Sequence, residues 1–129
     1  MNVSLEPGPP KPLLLVVEED RLLRWSLREK FASAGWEVLE AGEGLAALDL
    51  AAARRFVLAL VAVSLPDLDG AALAARLFAA QPGSRIVLMT SAERPGAVAP
   101  WAGGWPLVEK PFDLDELVSW ASSFQAASR

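Results

Sequence analysis

The chain has 129 residues, 53% of them hydrophobic, a formal net charge of −4, and neither cysteine nor histidine. Such a length suits one ordinary domain, and that apolar share supplies a full core, so disorder is expected only at the ends. The acidic balance argues against a general nucleic-acid binder; the missing thiols and imidazoles exclude disulfides, thiol catalysis, the usual zinc sites, imidazole-dependent triads and a phosphohistidine.

Residues 1–11 form a Pro-rich leader without the basic start and apolar centre of a signal peptide. No apolar run reaches the ~18 to 20 residues of a membrane span, so a cytoplasmic location is expected. Leu13, Leu14, Leu15, Val16 and Val17 are a continuous apolar run ending in Glu18, Glu19 and Asp20. A run like this predicts a strand buried on both faces. Over 21–34 the period changes: Leu23, Leu27 and Phe31 recur every four residues, predicting an amphipathic helix stopped by Gly35. Residues 36–41 predict a strand, 42–44 a turn, and 45 to about 54 an Ala/Leu-rich helix.

A second buried strand is expected over 56–63, then a helix over 70–80 that ends before Gln81, Pro82 and Gly83. Residues 85–90 predict the fourth strand and 107–108 a short fifth. Asp113 and Glu116 have capping-box spacing at the head of a last helix, whose apolar stripe is Leu114, Leu117, Val118, Ala121 and Phe124. Strands alternating with helices imply a doubly wound α/β domain, a parallel sheet with helices on both faces, over residues 12–126, leaving 127–129 as a tail. Between Thr90 and Leu107 three prolines and three glycines make a regular helix improbable, so the fourth helix is expected to be shortened or irregular.

In such sheets ligands and reactions sit at the carboxyl ends of the strands. The polar groups there are Glu18, Glu19, Ser64, Thr90, Ser91 and Lys110.

Four stretches in this order, LLLVVEED, LVAVSLPDLDG, VLMTSAE and VEKPF, resemble the receiver domain of two-component response regulators. The resemblance covers residues 12 to about 125. It implies the CheY-like fold, five parallel strands in the order 2-1-3-4-5. It also implies roles: Glu18 and Glu19 as the metal-binding acidic pair, Thr90 as the switch hydroxyl, Lys110 as the phosphoryl-binding lysine, and Pro111 after it through a cis peptide. In the family an aspartate at the end of the third strand accepts a phosphoryl group, with Mg²⁺ held by the acidic pair, that aspartate and a backbone carbonyl. Here that position is Ala62. A methyl group neither attacks phosphorus nor binds magnesium, so no catalytic residue is expected and the domain is not expected to be an enzyme.

Other departures point the same way. The second acidic residue is a glutamate where the family usually has aspartate, Leu107 stands where many members carry an aromatic switch residue, and the fourth helix is broken. With Ala62 in place, Lys110 is expected to pair with Glu18 or Glu19, and any Mg²⁺ binding by those two is a weak remnant. The resulting expectation is a pseudo-receiver in two-component or phosphorelay signalling that acts through protein–protein contact and uses no cofactor. Its partners would be a kinase, an output domain or another receiver, with neither nucleic acid nor membrane, and a homodimer is allowed. It would be either a stand-alone adaptor or a domain cut from a longer chain.

Two alternatives stay open at this point: a small polar ligand or metal bound in the former phosphorylation pocket, and an ordinary receiver whose acceptor aspartate was changed to alanine. Trp101, Trp105 and Leu107 mark the candidate partner surface, because tryptophan is enriched at binding hot spots; for Trp105 the competing expectation is that its ring folds back over the sheet. Trp36 is expected to pack at the entry of the second strand, and Trp25 and Trp120 to be partly exposed.

Overall fold

The structure is a computed structural model that describes residues 10–91, 105–110 and 112–127. Its elements run β1 (Leu13–Val17), α1 (Arg21–Ser33), β2 (Glu37–Ala41), α2 (Gly44–Ala53), β3 (Leu58–Ala62), α3 (Gly70–Ala80), β4 (Arg85–Ser91), β5 (Leu107–Lys110) and α4 (Leu114–Ala127). All strand pairs are parallel, and the sheet order is β2-β1-β3-β4-β5. The expected irregular fourth helix, Trp101 and Pro111 lie outside the described residues.

Every residue of β1 and β3 is buried, as continuous apolar runs in central parallel strands require. Alternation along those strands divides the core in two. Leu13, Leu15, Val17, Ala59, Val61, Ile86 and Leu88 meet α2 and α3 through Ala47, Ala51, Leu73, Ala74 and Leu77. Leu14, Val16, Leu58, Leu60, Ala62, Val87 and Met89 meet α1 and α4 through Leu27, Phe31, Leu117 and Ala121. A fully buried Leu or Phe contributes about 2–3 kcal/mol relative to leaving it exposed, so both layers are firmly held.

The helix ends follow from local chemistry. After α1, Gly35 takes a φ of 95°, and the N–H groups of Gly35 and Trp36 donate to the carbonyls of Ala32 (3.1 Å) and Phe31 (3.0 Å). That is a Schellman ending, completed by the apolar contact it favours: the Trp36 ring meets Phe31 edge-on at 5.4 Å. Trp36 thereby packs at the entry of β2, buried, with its indole N–H donating to Ser122 Oγ at 3.4 Å. At the far end of α2 the Gln81 amide donates to the carbonyls of Ala51 and Arg54 (2.8 Å each), and its oxygen accepts from Phe56 N at 3.0 Å.

Several boundaries shift by a residue or two from the sequence expectation, and three of the shifts have a visible cause. β3 starts at Leu58 rather than 56, because Phe56 N is committed to Gln81. α2 takes in Gly44, whose N–H is met by a carboxylate from another loop. β5 extends to Lys110 because Glu109 and Lys110 continue the register against Thr90 and Ser91.

Candidate functional site

The carboxyl ends of β1, β3, β4 and β5 converge on Glu18, Ala62, Thr90 and Lys110. Glu18 continues the β1 ladder, its N–H donating to Ala41 O at 3.0 Å, and it is 2% exposed. Both carboxylate oxygens are engaged: Oε1 accepts from Lys110 Nζ at 2.5 Å and Oε2 from the Asp20 N–H at 3.0 Å. Its backbone carbonyl accepts from Arg24 Nη1 at 2.6 Å, and Arg24 Nε also lies 3.4 Å from Glu40 Oε1. A charge this deeply buried is tolerable only when paired and hydrogen-bonded. Glu18 meets that condition wholly within the protein.

Glu19, one residue on, is exposed. The two members of the acidic pair thus stand in different surroundings: Glu18 is buried in an ion pair and Glu19 is exposed. Among the described residues no group of three or more Asp or Glu side chains is placed to hold a metal ion. Ala62 ends β3 opposite Met89, 2% exposed, in the apolar row facing α1 and α4. Thr90 is half-buried and lies opposite Glu109. By strand alternation it belongs to the row of Leu88, on the other face of the sheet from the row of Ala62 and Met89.

The loop after Ala62 is tied down tightly. Ser64 bridges to Asp69, and Gly70 N donates to Val63 O at 2.8 Å. A Cβ on Gly70 would collide with the Ala62 carbonyl oxygen and lie 2.7 Å from Val63 Cα, both backbone atoms that cannot swing aside. Glycine is required there by close approach.

Aspartates occupy every described helix start at this end. Asp20 Oδ1 accepts from Leu22 N and Leu23 N, Asp69 Oδ2 from Ala72 N, and Asp113 Oδ1 from Glu116 N. Asp113 is the cap expected from sequence; the return bond of a full capping box is not among the contacts of Glu116. The fourth cap is non-local. Glu43 precedes α2 without a side-chain cap bond, and instead both oxygens of Asp67, from the loop after β3, accept from Gly44 N and Leu45 N at 2.8 Å each. Partial burial pushes the Asp67 carboxyl upward, but the N–H donors of Leu45 and Gly44 outweigh it, and the group sits below its ordinary value. Helix N-termini attract anions, and here protein carboxylates already occupy them.

Neither Asp67 nor Arg24 is recognisable as a site-building residue from sequence. Asp67 reads as loop acidity and Arg24 as the polar face of a helix, and their partners lie on other elements. Trp105 is half-buried, packed edge-on against Phe78 at 5.4 Å and against the α2/α3 core layer. With Trp120, which is partly exposed, it lines a pocket of about 300 Å³ at the starts of β4 and β5, the end of the strands away from Glu18. Leu107 is half-buried opposite Leu88 and joins the same core layer.

Residues 14–122 match the family model for the response regulator receiver domain. Among curated proteins, the chain is 36% identical over 110 residues to the transcriptional activator protein PfeR of Pseudomonas aeruginosa, a match covering 84% of this chain and 36% of that protein. It is 28% identical over 113 residues to sporulation initiation phosphotransferase F of Bacillus subtilis, covering 81% and 86%. The chain thus spans about a third of the first relative and most of the second. Among solved structures, a CheY-like receiver domain protein from Methanospirillum hungatei superposes with a TM-score of 0.78 at 21% identity, covering 88% of this chain and 93% of that one. At that identity the likeness speaks for the fold alone.

Proposed function

Because this chain belongs to the response regulator receiver domain family of two-component signalling, we propose that it is a pseudo-receiver, a member that is not switched by aspartyl phosphorylation and works through protein–protein contact. The observation that carries this is the Glu18–Lys110 contact of 2.5 Å beside Ala62. In a working site the lysine charge is held for a phosphoryl oxygen. Here it is spent on a carboxylate of the same chain, and the nucleophile's position holds a methyl group.

The donor set does not fit Mg²⁺. A hard divalent cation wants six or so oxygen ligands, whereas both Glu18 oxygens already accept protein hydrogens, Ala62 brings none, and Glu19 is turned to solvent. A small polar ligand would likewise have to displace a satisfied ion pair. We therefore favour a domain with no reaction of its own, whose partners are a kinase, an output domain or another receiver. The net charge of −4 favours protein surfaces over nucleic acid or membrane as what this domain touches. Among the described residues no helix is long and apolar enough to cross a membrane, which fits a cytoplasmic role.

The test is direct. The protein is incubated with Mg²⁺ and a small-molecule phosphodonor, and its intact mass is recorded under conditions that preserve acyl phosphates. No adduct is expected. An adduct of one phosphoryl group would overturn the proposal and show that another side chain has replaced Ala62.

A further inference from the structure

The outward face of α1 carries apolar surface that no described residue covers. Leu22 is 72% exposed and Trp25 53% exposed, one helical turn apart, with Glu29 another turn along the same stripe. The Trp25 indole N–H has no hydrogen-bond partner among the described residues. Beside Leu22 stands Arg21, in a first helical turn that contains no acid, where a positive charge opposes the helix dipole. Arg24, in the same turn, is accounted for by the Glu18 carbonyl and Glu40. The Arg21 side chain makes no hydrogen bond or ion pair among the described residues. Among the described residues Glu29 meets only Arg28, at 3.9 Å with both side chains half exposed.

These residues are arranged symmetrically. Arg21 lies four residues before Trp25 and Glu29 four residues after it, each displaced about 6 Å along the helix. If a second α1 is laid antiparallel on the first with Trp25 at the two-fold axis, each Arg21 falls opposite a Glu29, the two Trp25 rings meet in the middle, and each Leu22 flanks them opposite the stem of an Arg28. An isologous contact demands this kind of self-complementarity. We propose that the outward face of α1 docks a second copy of this chain, with Trp25 and Leu22 as the apolar centre and two Arg21–Glu29 pairs crossing between copies. This stands independently of whether the chain can be phosphorylated.

The contact is small. α1 has 13 residues, about 20 Å of helix, so one helix pair buries less than the roughly 1,200–2,000 Å² of a stable interface. A weak, concentration-dependent dimer follows. Sedimentation equilibrium of the full chain across a wide concentration range measures it. Wild type should pass from monomer to dimer, and Trp25→Asp, Arg21→Glu and Glu29→Arg should each weaken association about tenfold or more. The double variant Arg21→Glu/Glu29→Arg, which exchanges the two charges, should recover most of the loss. All of these side chains are exposed, and circular dichroism confirms that each variant is folded. A chain that is monomeric throughout overturns the proposal, as does a dimer indifferent to Trp25→Asp. Dimers that respond to Trp25 but are not rescued by the charge exchange overturn the antiparallel pairing.

Discussion

Lys110 Nζ lies 2.5 Å from Glu18 Oε1, although two strands, β3 and β4, separate the strands that carry them. The contact crosses above the end of β3, where Ala62 stands, and joins the end of β1 to the end of the edge strand β5. It is an ion pair between a residue 3% exposed in its side chain and one 26% exposed.

Removing the lysine strands that buried charge. Lys110→Ala is expected to cost roughly 2–4 kcal/mol, while the double variant Glu18→Leu/Lys110→Met should recover most of it, because an apolar pair avoids the desolvation both charges now suffer. Urea unfolding of the three proteins measures this. A single variant as stable as wild type would mean that the pair contributes nothing.

Restoring the family's aspartate should have two readable effects. Ala62→Asp buries a second carboxylate next to Glu18, which is expected to destabilise the domain by about 2 kcal/mol in chelator. It also supplies an oxygen at the end of β3, where the Ala62 side chain has none, so added Mg²⁺ should raise the melting temperature of the variant and leave wild type unchanged. Thermal melts with and without the ion decide it; equal responses of the two proteins would contradict the account of the site.

Gly70→Ala should destabilise the domain by about 2–3 kcal/mol, because the new methyl meets the backbone of Ala62 and Val63 rather than a movable side chain. Gly83→Ala is the control: a Cβ there meets nothing within 4 Å. Denaturant midpoints of the two variants compare the positions, and equal midpoints would refute the close-approach argument.

Asp67 gives the stability a defined acid limb. Its carboxyl is lowered in the folded protein, so its contribution is fully present above the ordinary carboxylate value of about 3.9. It is lost as pH falls through the lower folded value. Asp67→Ala is expected to lower Tm by roughly 5 °C at neutral pH, and the difference from wild type should shrink toward pH 2 to 3. Melts across that pH range check both parts. A difference that stays constant would mean that the helix start does not depend on the charge.

Much of the architecture was legible because its signals are local. The apolar run at 13–17, the four-residue spacing of Leu23, Leu27 and Phe31, and the stop at Gly35 each depend on near neighbours in the chain, and the structure has a strand, a helix and a left-handed glycine there. The Asp113 cap is legible for the same reason. What escaped is long-range. Nothing near Asp67 indicates that its partners are Gly44 and Leu45, and nothing in a glutamate pair says which member turns inward. That choice is made by β5 returning Lys110 to the end of β1, beyond the reach of periodicity.

The two ends of α2 carry a consequence for the order in which the chain acquires structure. Ala and Leu give this helix high intrinsic propensity, yet the side chains that secure its two termini are not its own neighbours. Its first N–H groups wait for Asp67 and its last carbonyls for Gln81, residues 22 to 30 positions downstream. A helix of ten residues is too short to persist alone in water. Synthesis from the N-terminus therefore releases α2 well before its anchors exist, and it can become stable only once β3, the loop after it and α3 have formed. In the mature protein the same dependence joins α2 and α3 into one cooperative unit, so their amide protons should exchange together.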